Sequence, residues 1–311
     1  MTARALLDTH LRIKPYIHNT PVLTSTLLNE IAETELYFKC ENFQKMGAFK
    51  MRGATNAILQ LTDAQKEKGV VTHSSGNFAQ ALSLAAKQLG VKAYIVMPST
   101  APQVKKDGVK TYGGEIIECP PTQQDREATA LAIQKEKGAT FLHPYNMKNV
   151  ILGQGTAAME LLEDHPNLDY IFAPVGGGGL IAGTALAASH FSKGCEVVGT
   201  EPFEVDDAYR ALQSGKLETN PTTNTIADGL KMALGDQTFP IIQQHVSKII
   251  RVTEAEIIEA MRLIWERMKI IIEPSCAVPF AGLLKEKSTY ANKKIGIILT
   301  GGNVDLTNLP F

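Results

Sequence analysis

Residues 171–189 run Ile171-Phe-Ala-Pro-Val-Gly176-Gly-Gly-Gly179-Leu-Ile-Ala-Gly-Thr-Ala-Leu-Ala-Ala-Ser189. The stretch is uncharged and approaches the length of a membrane span, but Pro174 and four consecutive glycines break it near its start. It reads as a short strand, a tight loop and a buried helix. Backbone amides in such a loop can approach an anion with no side chain in the way, and the helix N-terminus adds positive potential. No G-x-G-x-x-G follows the first strand and no loop ending in Gly-Lys-Ser/Thr is present, so Gly176, Gly177, Gly178 and Gly179 look like a cup for a single phosphate. Close packing is the bland alternative for the same glycines.

Outward from this unit the same alternation repeats. Strands are expected at 35–40, 69–73, 93–97, 115–119, 170–174, 196–200 and 294–300, each short, apolar or β-branched, and bounded by Gly, Pro or Ser. Helical spacing covers 53–61, 77–89, 124–137, 153–162, 180–191 and 254–268. The βαβα pattern implies an α/β fold with two parallel or mostly parallel open sheets and helices on both faces. Residues 69–146 read as a small inserted βαβ domain, leaving 1–68 and 147–311 as a large domain with a cleft between the two. Ligands in such folds gather at the carboxyl ends of the strands, which puts the segments opening at Ser74, Gly176 and Thr300 on one rim.

Charge excludes whole classes of partner. The 31 basic and 32 acidic residues give a formal net charge of −1 with no basic block, so nucleic acid and membrane surface are not expected and a small molecule is the default ligand. Cys40, Cys119, Cys195 and Cys276 are scattered without C-x-x-C spacing, which fits reduced core thiols. Charges at Arg4, Asp8, Arg12 and Lys14 leave the N-terminus without a secretory h-region, so a cytoplasmic location is expected.

The chemistry-bearing segment is Glu41-Asn-Phe-Gln-Lys-Met-Gly-Ala-Phe49-Lys50-Met-Arg-Gly-Ala54. A lysine between Phe49 and Met51 either snorkels with its ammonium in water or is desolvated, neutral and nucleophilic toward an aldehyde. Ser74-Ser75-Gly76-Asn77-Phe78 places two hydroxyls and an amide at a helix start, where a single one would suffice for an N-cap. Thr300-Gly-Gly-Asn303 adds a hydroxyl after the last strand. A lysine, a phosphate cup and neutral donors on one rim together suggest pyridoxal phosphate.

At this point the chain resembles the fold type II (β-family) pyridoxal-phosphate enzymes of the tryptophan synthase β-like kind. Within them it resembles the branch of serine/threonine dehydratases and serine racemases. Besides the segments already quoted, the resemblance runs through Gly153-Gln-Gly-Thr156, Ile226-Ala-Asp-Gly229 and Glu273-Pro274, so it spans nearly the whole length. It implies that Lys50 binds the cofactor's aldehyde, Phe49 packs beside its ring, Asn77 bonds the 3-hydroxyl, Gly176 to Gly179 hold the phosphate and Thr300 meets the ring nitrogen. It also implies an amino-acid substrate whose carboxylate lies on Ser74, Ser75 and Asn77, with Phe78 and Arg126 nearby. Arg126 between Asp125 and Glu127 reads equally as a solvated helix residue. The segment Glu201-Pro-Phe-Glu-Val205-Asp-Asp207 reads by itself as an acidic turn; the resemblance makes Glu201, the Val205 carbonyl and Asp207 ligands of Mg²⁺, Ca²⁺ or Mn²⁺. Family members assemble as homodimers or homotetramers, and the same is expected here.

The activity implied is an ammonia-lyase acting on L-threonine, L-serine or a related β-hydroxy amino acid, which releases a 2-oxo acid and ammonia. Two positions bear on the alternatives. Ser75 stands where racemases carry an acid/base for the face opposite Lys50, so serine racemisation is the second reading. Phe78 replaces the family's common histidine, which opens 3-hydroxyaspartate or an aryl serine as substrate. A non-catalytic pyridoxal-phosphate or amino-acid binder is the remaining alternative. His73 and His143, lone histidines at strand ends, read as structural. With Phe311 soon after the last strand, no C-terminal regulatory domain and no isoleucine feedback are expected.

Overall fold

In the computed structural model, which describes residues 1–311, ten strands form two separate sheets. They are β1 (Val22–Leu23), β2 (Glu35–Cys40), β3 (Val70–Thr72), β4 (Ala93–Pro98), β5 (Glu115–Cys119), β6 (Thr140–Phe141), β7 (Tyr170–Pro174), β8 (Glu196–Pro202), β9 (Val246–Val252) and β10 (Lys294–Leu299). The larger sheet has the order β1-β2-β10-β7-β8-β9 and is parallel except for the short edge strand β1. The smaller, β5-β4-β3-β6, is parallel throughout. Parallel neighbours require crossovers, and helices supply them on both faces, as the alternation predicts. No helix is long and apolar enough to cross a membrane. All four cysteines are free, three of them buried and Cys195 half-buried.

Three helices meet almost without intervening side chains, and this contact positions the functional residues. Helix Lys50–Leu59 crosses helix Lys148–Asp164 so closely that a Cβ on Gly153 would lie 2.6 Å from the Gly53 Cα. On the other side of helix Lys148–Asp164, a Cβ on Gly183 of helix Gly179–Phe191 would lie 2.6 Å from the Gly155 nitrogen. Glycine inside a helix costs about 1 kcal/mol relative to alanine, and the close approach is what it permits here. The sequence reading starts the first of these helices at residue 53. It begins instead at Lys50, because Gly53 is a contact residue within the helix and not its boundary.

Behind the first turn of helix Lys50–Leu59 lies a buried ionic cluster. The Arg52 guanidinium, fully buried, spans two carboxylates: it donates to both oxygens of Glu41 at 2.7 and 2.8 Å and to both oxygens of Glu160 at 2.7 and 2.8 Å. Lys39 Nζ, also fully buried, lies 2.8 Å from Glu160 and donates to the Thr20 carbonyl at 2.7 Å. Against the cost of burial, the hydrogen bonds and charge of Arg52 hold the Glu160 carboxyl below its ordinary range. Two cations and two anions balance here, and the cluster ties β2, helix Lys50–Leu59 and helix Lys148–Asp164 together.

Three strands escape the sequence reading. β1 and β6 have two residues each, too few for a period. In β9 Lys248 and Arg251 interrupt the apolar run because the strand forms the edge of its sheet and one side of it meets solvent. Helix Pro274–Lys285 is concealed by the proline inside it at Pro279.

Candidate active site

One cavity of about 800 Å³ opens where the carboxyl ends of β3, β6, β7 and β10 converge, so both sheets contribute to its wall. The segments opening at Ser74, Gly176 and Thr300 all line it, together with Phe49, Lys50 and Arg126.

The glycine loop follows β7 and opens helix Gly179–Phe191. Each backbone N–H from Gly176 through Ile181 donates to no acceptor within the chain, although the residues from Gly177 on are buried. Buried amides are satisfied in native proteins, so this row of donors calls for an anion. Gly178 has φ +84°, which only glycine adopts without strain, and a Cβ on Gly177 would lie 2.4 Å from the Tyr145 ring. The loop's outer side is held by Thr238, whose hydroxyl donates to the Gly177 carbonyl at 2.9 Å, so the amides are left facing inward.

Lys50 is the first residue of its helix, and its Nζ donates to the Pro144 carbonyl at 2.9 Å. The nitrogen lies 5.1 Å from the Phe49 ring centre and 5.9 Å from that of Phe78. Burial pushes the ammonium down to about 8, with Glu273 opposing the shift. The snorkelling alternative is thereby set aside, and an amine that gives up its proton far more readily than a solvated lysine faces the cavity.

Asn77 opens helix Asn77–Gln88, where Gly76 takes the N-cap place and no side chain caps. The hydroxyls of Ser74 and Ser75 are therefore not used as caps: Ser74 accepts only from the Gly76 amide at 3.4 Å, and Ser75 makes no hydrogen bond. Asn77 Nδ2 faces Glu273 at 2.9 and 3.1 Å, and its Oδ1 accepts from Asn303 at 2.9 Å. Thr300 is buried, with its hydroxyl against the Cys276 thiol and its carbonyl accepting the Phe49 N–H at 3.0 Å.

Arg126, on helix Gln123–Lys137, lines the cavity with its Nε buried and unpartnered. Neither Asp125 nor Glu127 pairs with it; their carboxylates accept from Thr122 and Gln123. His73 and His143 also border the cavity. His143 Nδ1 accepts from the amides of Tyr145 and Asn146 at 3.4 and 3.0 Å, while burial, then His73 and Lys50, push its pKa down to about 4, so the ring is neutral.

Glu201 and Asp207 lie outside the cavity wall, both buried. Glu201 accepts from the Tyr209 amide at 2.6 Å, and Asp207 from Asn220 at 2.6 Å and the Leu234 amide at 2.8 Å. Burial and the neighbouring Asp207 push Glu201 well above the usual carboxylate range. No cluster of three or more His, Cys, Asp or Glu side chains that could hold a metal ion is formed here or elsewhere.

The sequence offers Glu273 only within the Glu273-Pro274 segment, with no role, and gives no sign of the Pro144 carbonyl, Tyr145 or Thr238. A glutamate before a proline at a helix start resembles a cap, and the other three acquire meaning only through residues far along the chain.

A lysine amine at the cavity wall, inward-facing amides, and a side-chain amide and a hydroxyl beside them form a donor set that fits pyridoxal phosphate. The comparisons agree: the family described as pyridoxal-phosphate dependent enzyme matches residues 13–301, and the chain belongs to it. It is 50% identical to the beta-hydroxyaspartate dehydratase of Paracoccus denitrificans over 100% of this chain and 98% of that one. It is 46% identical to the L-threo-3-hydroxyaspartate ammonia-lyase of Saccharomyces cerevisiae over 97% and 93%. The crystal structure of the serine racemase from Dictyostelium discoideum superposes with a TM-score of 0.94 at 49% identity, covering 98% of this chain and 99% of that one. The fold is that of the type II pyridoxal-phosphate enzymes, and the chain falls in their dehydratase and racemase group.

Proposed function

We propose that the protein is a pyridoxal-phosphate-dependent ammonia-lyase for a β-hydroxy amino acid carrying a second carboxylate, of the 3-hydroxyaspartate type. The observation that carries this reading is Arg126, a guanidinium with a buried, unpartnered Nε on the cavity wall. A buried charged donor without an acceptor is costly, and a ligand carboxylate removes the cost. Sequence alone puts threonine and serine first; the free arginine moves the acidic substrate ahead, and the two hydroxyaspartate-acting relatives support the choice.

The cofactor supplies an electron sink for the carbanion left when the α-proton departs. In this reading the amides from Gly176 through Ile181 hold its phosphate, Asn77 and Thr300 orient the ring from its oxygen and nitrogen sides, and Phe49 packs against it. Lys50 would hold the cofactor's aldehyde and, as a neutral amine, would accept the substrate's α-proton. Ser74, Ser75 and the Asn77 backbone N–H hold the α-carboxylate, while Phe78 and the neutral His143 keep that end free of competing charge. The Lys50 ammonium would return the α-proton to the departing β-hydroxyl, which leaves as water, and hydrolysis of the released enamine by one water gives the 2-oxo acid and ammonia.

Steady-state 2-oxo acid release from hydroxyaspartate, serine and threonine tests the substrate. Arg126→Met is expected to lower kcat/KM for hydroxyaspartate by about 1.5–3 kcal/mol, roughly 10- to 150-fold, and to leave serine turnover nearly unchanged. Equal losses on both substrates, or a native preference for serine, would remove the acidic substrate from consideration.

A hard divalent cation at Glu201, Asp207 and the Val205 carbonyl belongs to the same reading. Its support is the pair of adjacent buried carboxylates, whose mutual repulsion a cation relieves. Saturating Mg²⁺ or Ca²⁺ is expected to raise the Tm relative to EDTA, by a stabilisation of about 2.7 kcal/mol at a hundredfold excess over Kd. Glu201→Gln should abolish the rise; a Tm indifferent to both cations and EDTA leaves the residues a purely structural acidic turn.

A further inference from the structure

Glu273 is a buried carboxylate on the cavity wall with no cation within salt-bridge distance. It occupies the N-cap position of helix Pro274–Lys285, yet its side chain caps no amide of that helix. It turns instead toward the start of helix Asn77–Gln88, only 4% exposed, and both of its oxygens face Asn77 Nδ2 at 2.9 and 3.1 Å. Space for it is made by Gly301, where a Cβ would lie 2.8 Å from Glu273 Oε1. The far end of the Asn77 amide is assigned as well: Oδ1 accepts from Asn303 Nδ2, which also donates to the Met46 carbonyl at 2.9 Å.

An asparagine amide has a donor end and an acceptor end of nearly the same shape, and only its surroundings decide which way it points. An ionised carboxylate accepts and cannot donate, so it compels the NH₂ end to face it. Asn303 receives the oxygen end. One N–H of Asn77 is thereby committed to Glu273, and its second N–H is fixed in the same plane beside the cavity. Other charges facing Glu273 are Lys50 across the cavity and the pair Lys105–Asp228 at its mouth. Burial, then Asp228, push the Glu273 carboxyl up to about 7, with Asn77 pulling it back.

We propose that Glu273 is a positioning residue that locks the orientation of the Asn77 amide, so that Asn77 presents an N–H and not its carbonyl to the ring oxygen of the cofactor. The proposal rests on the cofactor reading above. It predicts that Glu273 acts through Asn77 and that Asn303 belongs to the same device, since it secures the opposite end of the amide.

The test is the absorbance spectrum of the protein loaded with pyridoxal phosphate, at mildly alkaline pH where the carboxyl is ionised. The ratio of its visible band to its near-ultraviolet band reports the proton and donor environment of the ring oxygen and the lysine nitrogen. Glu273→Gln keeps the shape but offers the amide a partner of either polarity; the visible band is expected to lose intensity to the near-ultraviolet band. Asn303→Ala is expected to move the ratio the same way, and Glu273→Asp to restore part of it. The deciding comparison is made in an Asn77→Ala background, where Glu273→Gln should change the ratio no further. An undiminished change there would show that Glu273 acts by its charge alone and overturn the proposal, as would an unaltered spectrum in Glu273→Gln. Wild-type protein that forms no visible band with pyridoxal phosphate defeats the cofactor reading itself, a different result from either.

Discussion

Lys50→Ala is expected to abolish the visible band formed with pyridoxal phosphate and to lower 2-oxo acid release by roughly 10⁴-fold, the upper end of what one positioned proton-transfer group supplies. The expectation follows from the position of the side chain. Its nitrogen has one hydrogen-bond partner, a carbonyl, and aromatic rings beside it, so no carboxylate within salt-bridge distance holds it as an ammonium. With the group at about 8, half of it is neutral at that pH and the neutral fraction goes on rising above it. Capture of pyridoxal phosphate by the apo-protein, followed by stopped-flow absorbance, should therefore quicken with pH, with its midpoint at about 8 and its plateau at more alkaline pH. Ser75→Ala is the companion variant. Its hydroxyl is unbonded at the cavity wall, so its loss should suppress any D-serine formation from L-serine on chiral chromatography, while 2-oxo acid release is weakened but persists. Retention of full racemisation in Ser75→Ala removes that residue from the opposite face; retention of the visible band in Lys50→Ala would falsify the assignment of the lysine.

Arg52→Met is expected to cost about 3–5 kcal/mol of stability, read from the denaturation midpoint in urea. The cost does not arise from the value of the ion pairs as such, which a well-packed apolar replacement can match. It arises because removing one cation leaves Glu41 and Glu160 buried with Lys39 as the single counter-charge. A second change tests this account. Adding Glu41→Gln leaves the Lys39–Glu160 pair intact and the cluster neutral, so the double variant should be more stable than the sum of the two single losses. Strict additivity would show the cluster to be a set of independent contacts. The pH dependence has a definite sign. Glu160, held below its ordinary range, contributes stability that is whole above its unfolded pKa and disappears as pH falls through its folded one.

Much of this molecule is legible before any coordinates. β2, β5 and β7 have the bounds predicted for them, and β7 shows the reason most plainly, because a strand buried between helices has no reason to admit a charged residue. The glycine loop, Lys50 and Asn77 announce themselves because each departs from what its local structure needs: too many glycines for a turn, a lysine among apolar neighbours, more donors than a cap uses. Glu273 and Thr238 carry no such surplus. A glutamate ahead of a proline and a threonine ahead of a helix are ordinary local choices, and their partners, Asn77 and Gly177, lie far away in the chain. Gly53 misleads for the same reason, since its neighbour is Gly153 and no local pattern records that contact.

The glycine contacts between the three helices have a further consequence. The separation between Lys50 and the glycine loop is set by backbone laid on backbone, a dimension that no choice of core side chain can enlarge or shrink. Drift in the surrounding core leaves that gauge untouched, whereas a single methyl group at Gly153 or Gly183 would reset it. An engineer could therefore recast the cavity wall for a new substrate with wide freedom, provided the thickness of those three helices is left alone.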